Sequence, residues 1–176
     1  PVLGTFDRIN DRFGETGITL DGVAYMRTSH HIEDDAKLDL KWDLEAIQWL
    51  QTNTYGSPVI LEAHGPQYRW NGRVSAHTGL PTILGWPWHQ IQQRNDYQES
   101  IRERVNDIEL IYELDDISLT TALLTKYQVS LIYVGELEKS YYSRAGLAKF
   151  DRMVSDGMIE KVFQNSGATI YRRLIG

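Results

Sequence analysis

A chain of 176 residues with 41% hydrophobic and 24% charged residues has the length and apolar content for one domain with a core of its own. Its net charge of −6, with no Lys/Arg cluster, argues against a surface that tracks nucleic-acid phosphates. The absence of cysteine removes disulfides, thiol catalysis and thiolate zinc sites, and no run approaches the roughly 18 apolar residues that span a bilayer.

The chain opens Pro1-Val2-Leu3 without Met, which suggests a cut or processed end, and no signal peptide is visible in the residues given. Residues 1–18 hold scattered Gly and charge and read as a lead-in to a single α/β domain at 19–176. Residues 22–26 are a short apolar run, predicted as a strand, and residues 30–37 a polar surface loop. His30, His31, Glu33, Asp34 and Asp35 put metal-ligand types close together. Neighbours in one loop rarely converge on one ion, so no metal and no cofactor is assigned there. From 42 to 54 the spacing of Trp42, Ala46, Trp49 and Leu50 predicts a helix, with Asp43 as N-cap and Gly56 as the stop. Val59-Ile60-Leu61 then has the pattern of a buried strand.

Residues 62–88 are interrupted by Gly65, Pro66, Gly72, Gly79, Pro81, Gly85 and Pro87, so long elements are not expected. Within that stretch Thr82-Ile83-Leu84 reads as a short strand, and a helix is predicted to begin between 86 and 90. Ile101, Val105, Ile108 and Ile111 form one stripe of a helix over 99–114, and a shorter helix follows at 118–127. Residues 129–134, rich in β-branched and aromatic side chains, predict a central strand. Leu147, Phe150 and Val154 mark another helix. Asn165-Ser166-Gly167 predicts a hairpin between strands at 159–164 and 168–174. The expected fold is therefore α/β: a three-layer sandwich with a mixed sheet, helices on both faces and a C-terminal β-hairpin. Its inner strands are taken as 59–61 and 129–134. Trp42, Ala46, Trp49, Leu50, Val105, Ile108, Ile111, Leu131, Tyr133 and Phe150 are its predicted core.

No Walker-type phosphate loop, G-x-G-x-x-G, H-E-x-x-H or G-x-S-x-G is present, and no catalytic residue is assigned. The chemistry-bearing segment is 62–94, which concentrates His, Trp, Gly and Pro directly after a buried strand. Carboxyl ends of strands in open α/β sheets are where ligands gather. The ligand-binding candidates are Glu62, His64, Tyr68, Arg73, Thr78, Trp86, His89 and Arg94. The guanidinium forks of Arg73 and Arg94 match an anionic group, a phosphate or a carboxylate. Glu62, His64 and His89 have side chains able to move protons or meet hydroxyls, and Trp86 offers a flat face. The competing structural reading is a Gly/Pro loop packed on its own aromatics. Glu62 then pairs with Arg73, His77 serves the loop backbone, and Trp86 and Trp88 belong to the core.

A family resemblance rests on Thr19-Leu20-Asp21-Gly22-Val23-Ala24-Tyr25-Met26, Asp39-Leu40-Lys41-Trp42 and the residues through Leu50, and Pro58-Val59-Ile60-Leu61-Glu62-Ala63. It continues through residues 73–85 with Thr78-Gly79-Leu80-Pro81-Thr82, Trp86, His89, Tyr133-Val134-Gly135-Glu136-Leu137-Glu138, Tyr142 and Lys149-Phe150. Over most of 19–172 the chain resembles the tail of the YYY-type multi-pass membrane proteins of Chloroflexi and archaea. That family is similar to lipid-linked-sugar glycosyltransferases of the GT-C type. The resemblance implies a soluble domain outside the cytoplasm that follows a transmembrane bundle, with residues 1–18 leading in from it. It implies two partners, the transmembrane region of the same polypeptide and a lipid-linked sugar or glycan. Catalytic carboxylates of such enzymes usually lie in loops of the bundle. The segment 30–35 has no counterpart in the family and reads as a variable loop. The expected function is thus a substrate- or acceptor-binding module. The alternatives are a structural cap on the bundle and an autonomous hydrolase or transferase built on Glu62 with His64 or His89.

Overall fold

The computed structural model describes residues 17, 19–93 and 95–174, so the expected lead-in at 1–18, Gly17 apart, lies outside the described residues. The first regular element is a 3-10 turn at Ala24–Arg27, where a strand was expected. Asp21 Oδ1 accepts the Val23 N–H, and the Asp21 carbonyl accepts the Ala24 N–H, so the aspartate winds the chain locally before it can extend. Met26 is thereby placed in a small cluster with Leu40, Leu44 and Ile47.

The expected surface loop is instead an antiparallel hairpin of β1 (His30–Glu33) and β2 (Ala36–Asp39). Asp34, at φ 49, helps close the turn. Only Glu33 and Leu38 of this hairpin are buried, so it lacks the apolar alternation by which strands are recognised. Helix α1 (Leu40–Asn53) begins one turn before its predicted start, because Asp39 caps it by accepting the Lys41 N–H. Asp43, the predicted cap, is instead a buried residue of the first turn.

The main sheet contains β3 (Val59–Leu61), β4 (Val129–Val134), β5 (Ile159–Gln164) and β6 (Thr169–Arg173), in the order β3-β4-β6-β5. β3 runs parallel to β4, whereas β6 is antiparallel to both β4 and β5. The terminal hairpin is present as expected, and Asn165 makes its turn by accepting the N–H groups of Gly167 and Ala168 on Oδ1. The inner strands are β4 and β6. β3 lies at the margin, extended by a single bridge from Ile60 to Thr82, and this bridge is all that forms of the strand predicted at 82–84.

Six more α-helices among the described residues complete the layers: α2 (Arg73–Thr78), α3 (Pro87–Gln93), α4 (Gln98–Glu113), α5 (Ile117–Lys126), α6 (Glu136–Tyr141) and α7 (Arg144–Ser155). Alternate residues of the strands go to opposite faces. Leu61, Ile132, Val134 and Tyr171 pack with Ile108 and Ile111 of α4, Leu124 of α5 and Phe150 of α7. Ile60, Leu131, Tyr133 and Ile170 pack with Ala46 and Leu50 of α1 and Val74 of α2. The molecule is therefore a mixed α/β sandwich with both faces of the sheet covered. Of the predicted core, Ala46, Leu50, Ile108, Ile111, Leu131, Tyr133 and Phe150 are buried, while Trp42, Trp49 and Val105 are only half-buried at its edges.

Candidate functional site

β3 and β4 are parallel, so their carboxyl ends open on the same side, and the segment after β3 folds back there. Glu62, the first residue beyond β3, is fully buried. Its two carboxylate oxygens accept the Val74 and Ser75 N–H groups, each at 2.9 Å, in the first turn of α2. A carboxylate suits these otherwise unpaired helical donors. α2 itself was not predicted. It has six residues, and glycines at positive φ bracket it: Gly72 at 76° and Gly79 at 75°. Thr78 closes its far end, donating Oγ1–H to the Val74 carbonyl and accepting the Leu80 N–H.

Arg73 does not pair with Glu62, as the structural reading of the sequence had it. Its guanidinium spans two other buried carboxylates: Nε donates to Asp43 Oδ2 at 2.7 Å and Nη2 to Glu138 Oε2 at 2.8 Å. Glu138 also accepts the Ala63 N–H after β3 and the Gly135 N–H after β4, so one side chain ties both strand ends together. Asp43 further accepts the Tyr133 hydroxyl and the Trp70 Nε1–H, each at 2.6 Å. Burial opposes the charge on Arg73, but Asp43 and Glu138 outweigh it and hold its pKa well above the ordinary value. Burial pushes the Glu62 carboxyl up, while the Arg73 charge and the Ser75 and Val74 donors pull the other way. Asp43, Glu138, Trp70 and Tyr133 are the partners that sequence reasoning missed. Asp43 and Glu138 are each separated from Arg73 by at least 30 residues along the chain, so no local spacing announces them.

This lock divides the candidate segment into an inner and an outer part. His64 belongs to the inner part: Nε2 is buried and lies 3.3 Å from Glu109 Oε1, without the angles of a hydrogen bond. Burial lowers its pKa, against the pull of Glu109. The outer part brings together three predicted residues. The rings of Tyr68, Trp86 and His89 stand 5.2–5.4 Å from one another, centroid to centroid. The Tyr68 hydroxyl and His89 Nε2 share a hydrogen bond of 2.8 Å. Trp86 Nε1–H is fixed on the Asn71 carbonyl, so the indole is held from beneath. Tyr68 is 73% exposed and sits at φ 63, a left-handed conformation uncommon for an aromatic residue and one that presents the ring outward. Neighbouring Trp88 is also half-exposed rather than core. Arg94 lies outside the described residues. Among the described hydrogen bonds, none joins Glu62 to His64 or His89.

No protein-family model matches the chain, and comparison with curated proteins finds no match. Among solved structures, the C-terminal globular domain of an oligosaccharyltransferase from Archaeoglobus fulgidus is similar at a TM-score of 0.49 and 8% identity. That likeness covers 74% of this chain and 95% of the other. Neither a family nor a function follows from similarity at that level. Among the described residues no helix is long and apolar enough to cross a membrane.

Proposed function

We propose that this chain is a recognition module that binds a glycan or lipid-linked sugar for a membrane-embedded glycosyltransferase. In this reading it is the extracytoplasmic domain of a YYY-type protein, and the reaction takes place elsewhere in that protein. The family assignment rests on the sequence motifs. The observation that carries the binding role is the cluster of Tyr68, Trp86 and His89, in which the Tyr68 ring is exposed and Trp86 and His89 are half-buried against it. Flat aromatic faces bearing a hydroxyl and an imidazole at their edge suit a pyranose, which has an apolar face and a polar rim. The internal lock supports the same reading, because it holds the base of the loop rigid while its tip stays exposed. Glu62 has both oxygens engaged by the backbone, which favours recognition over an autonomous acid–base reaction at Glu62 and His89.

The test is titration of soluble analogues of polyprenyl-phosphate sugars into the wild type, Tyr68→Ala and Trp86→Ala, with glycosylation by the full-length protein assayed in parallel. Each substitution is expected to weaken binding by about 1–2 kcal/mol, the scale of an aromatic hot spot. Tyr68→Ala should leave folding stability within roughly 0.5 kcal/mol, because the side chain is exposed. Exposed Trp88 and Tyr97 favour a second reading, a face that packs on the membrane bundle. Unchanged glycan affinity together with loss of assembly in the full-length protein would select that second reading.

A further inference from the structure

A second concave site lies away from the aromatic cluster, where α7 crosses the sheet near the carboxyl end of β4. It is a cleft of about 480 Å³, within the size range of small-molecule sites. Its wall is one stripe of α7: Arg144, Leu147, Ala148 and Asp151, at helical positions i, i+3, i+4 and i+7. Its floor is the end of β4 at Val134 with Thr169 and Tyr171 of β6. Lys161 and Gln164 of β5 close one side, and Lys139 of α6 closes the other.

The charge of this lining runs against that of the chain. The protein carries −6 overall, yet three cations, Lys139, Arg144 and Lys161, meet here on three different elements against the single carboxylate of Asp151. Asp151 is already shared: it accepts the Tyr171 hydroxyl at 3.2 Å and lies 3.4 Å from Lys161 Nζ. Lys139 Nζ donates to the Gly167 carbonyl, an uncharged partner that leaves its charge uncompensated. Arg144 has no ion-pair partner among the described residues. Like charges gathered in a concave, partly apolar site repel one another unless a counter-ion occupies it.

We propose that this cleft binds a small dianionic ligand, a phosphomonoester carried on a ring the size of a sugar. A phosphomonoester carries close to two negative charges at neutral pH and three acceptor oxygens, which suits a cleft lined by three cationic side chains. Gln164 and Thr169 offer neutral hydrogen-bonding groups for ring hydroxyls, and Leu147 and Tyr171 an apolar surface for the ring. The site is separate from Tyr68, Trp86 and His89, and it stands or falls independently of the role proposed for them.

The experiment is calorimetric titration of glucose 1-phosphate, glucuronate and glucose into the wild type, Arg144→Gln, Lys161→Gln and, as a control, Arg27→Gln. Arg27 is a surface cation outside the cleft, paired with Asp21. Glucose 1-phosphate is expected to bind, and the two sugar-ring controls of charge, neutral glucose and singly charged glucuronate, to bind at least about tenfold more weakly. Arg144→Gln and Lys161→Gln should each weaken glucose 1-phosphate by about tenfold or more, with circular dichroism and melting temperature showing the variants folded. Arg27→Gln should bind as the wild type does. Affinity should also fall below about pH 6, where the phosphomonoester dianion takes up a proton and becomes a monoanion. No binding of glucose 1-phosphate, equal binding of glucuronate, or binding indifferent to Arg144 and Lys161 in folded variants would each overturn the assignment.

Discussion

Arg73 has five N–H donors in a fixed fork, and three of its nitrogens donate to the two buried carboxylates of Asp43 and Glu138. A pair of this kind stabilises little relative to apolar residues, but breaking it is costly because the partners stay buried and charged. Arg73→Met is therefore expected to cost about 3–5 kcal/mol of folding stability in a urea titration. Arg73→Lys should recover only part of this, since a point charge cannot serve two carboxylates in the geometry of the fork. A loss below about 1 kcal/mol for Arg73→Met would show that Asp43 and Glu138 find other partners. The same substitution bears on the sequence-level expectation that Arg73 holds an anion. Its donors are committed inward, to Asp43 and Glu138.

At the scale of elements, the crossing of α7 over the end of α4 is set by one residue without a side chain. A Cβ placed on Gly146 would meet the backbone carbonyls of Tyr112 and Glu113 well inside contact distance. Those carbonyls are main-chain atoms and cannot rotate away, so Gly146→Ala must separate the two helices. The expected cost is about 1–3 kcal/mol, the range of overpacked cores, read as a fall in melting temperature of roughly 2–4 °C per kcal/mol in a domain of this size. An unchanged melting temperature would mean that the crossing relaxes freely. The position also fixes Lys149, one turn further along α7, whose Nζ donates to the Gly146 carbonyl at 2.8 Å. The start of α7 is set independently by Ser143, which accepts the Gly146 N–H on Oγ.

For the whole molecule, Lys149 couples stability to pH. Its side chain is fully buried, and its Nζ contacts are to carbonyls rather than carboxylates. Burial lowers its pKa to about 8, against a weaker pull from Glu113. An unfolded lysine titrates near pH 10.4, so between these values the unfolded chain binds the additional proton. Stability therefore rises as pH increases from about 8, by up to roughly 1 kcal/mol per pH unit. Burial raises the pKa of Tyr112 and of Tyr133 well above 10.0, which has the opposite sign: above that pH the unfolded tyrosines ionise first and stability falls. Denaturant titrations at steps between pH 7 and about 11 should pass through an alkaline maximum, and Lys149→Met should abolish the rising limb. A rising limb that survives in Lys149→Met would assign it to another group.

The β-branched and aromatic run of β4, the helical stripe of α4 and the Asn165-Ser166-Gly167 turn were legible in the sequence because each follows from local composition, periodicity or side-chain-to-backbone chemistry within a few residues. That was enough for a mixed α/β sandwich and for most of its core. The β1–β2 hairpin and the short helices α2 and α6 were not legible, since tertiary contacts hold them: Glu62 caps α2, Glu138 ties α6 to both strand ends, and Tyr141 donates its hydroxyl to Glu33 of β1. The candidate loop was visible as composition, but its partition was not. Only the fold brings Asp43, from one end of the chain, and Glu138, from the other, around Arg73 and leaves Tyr68, Trp86 and His89 outside. A charged side chain in a sequence does not disclose its counter-ion, because burial and pairing depend on which distant segments the sheet order places beside it.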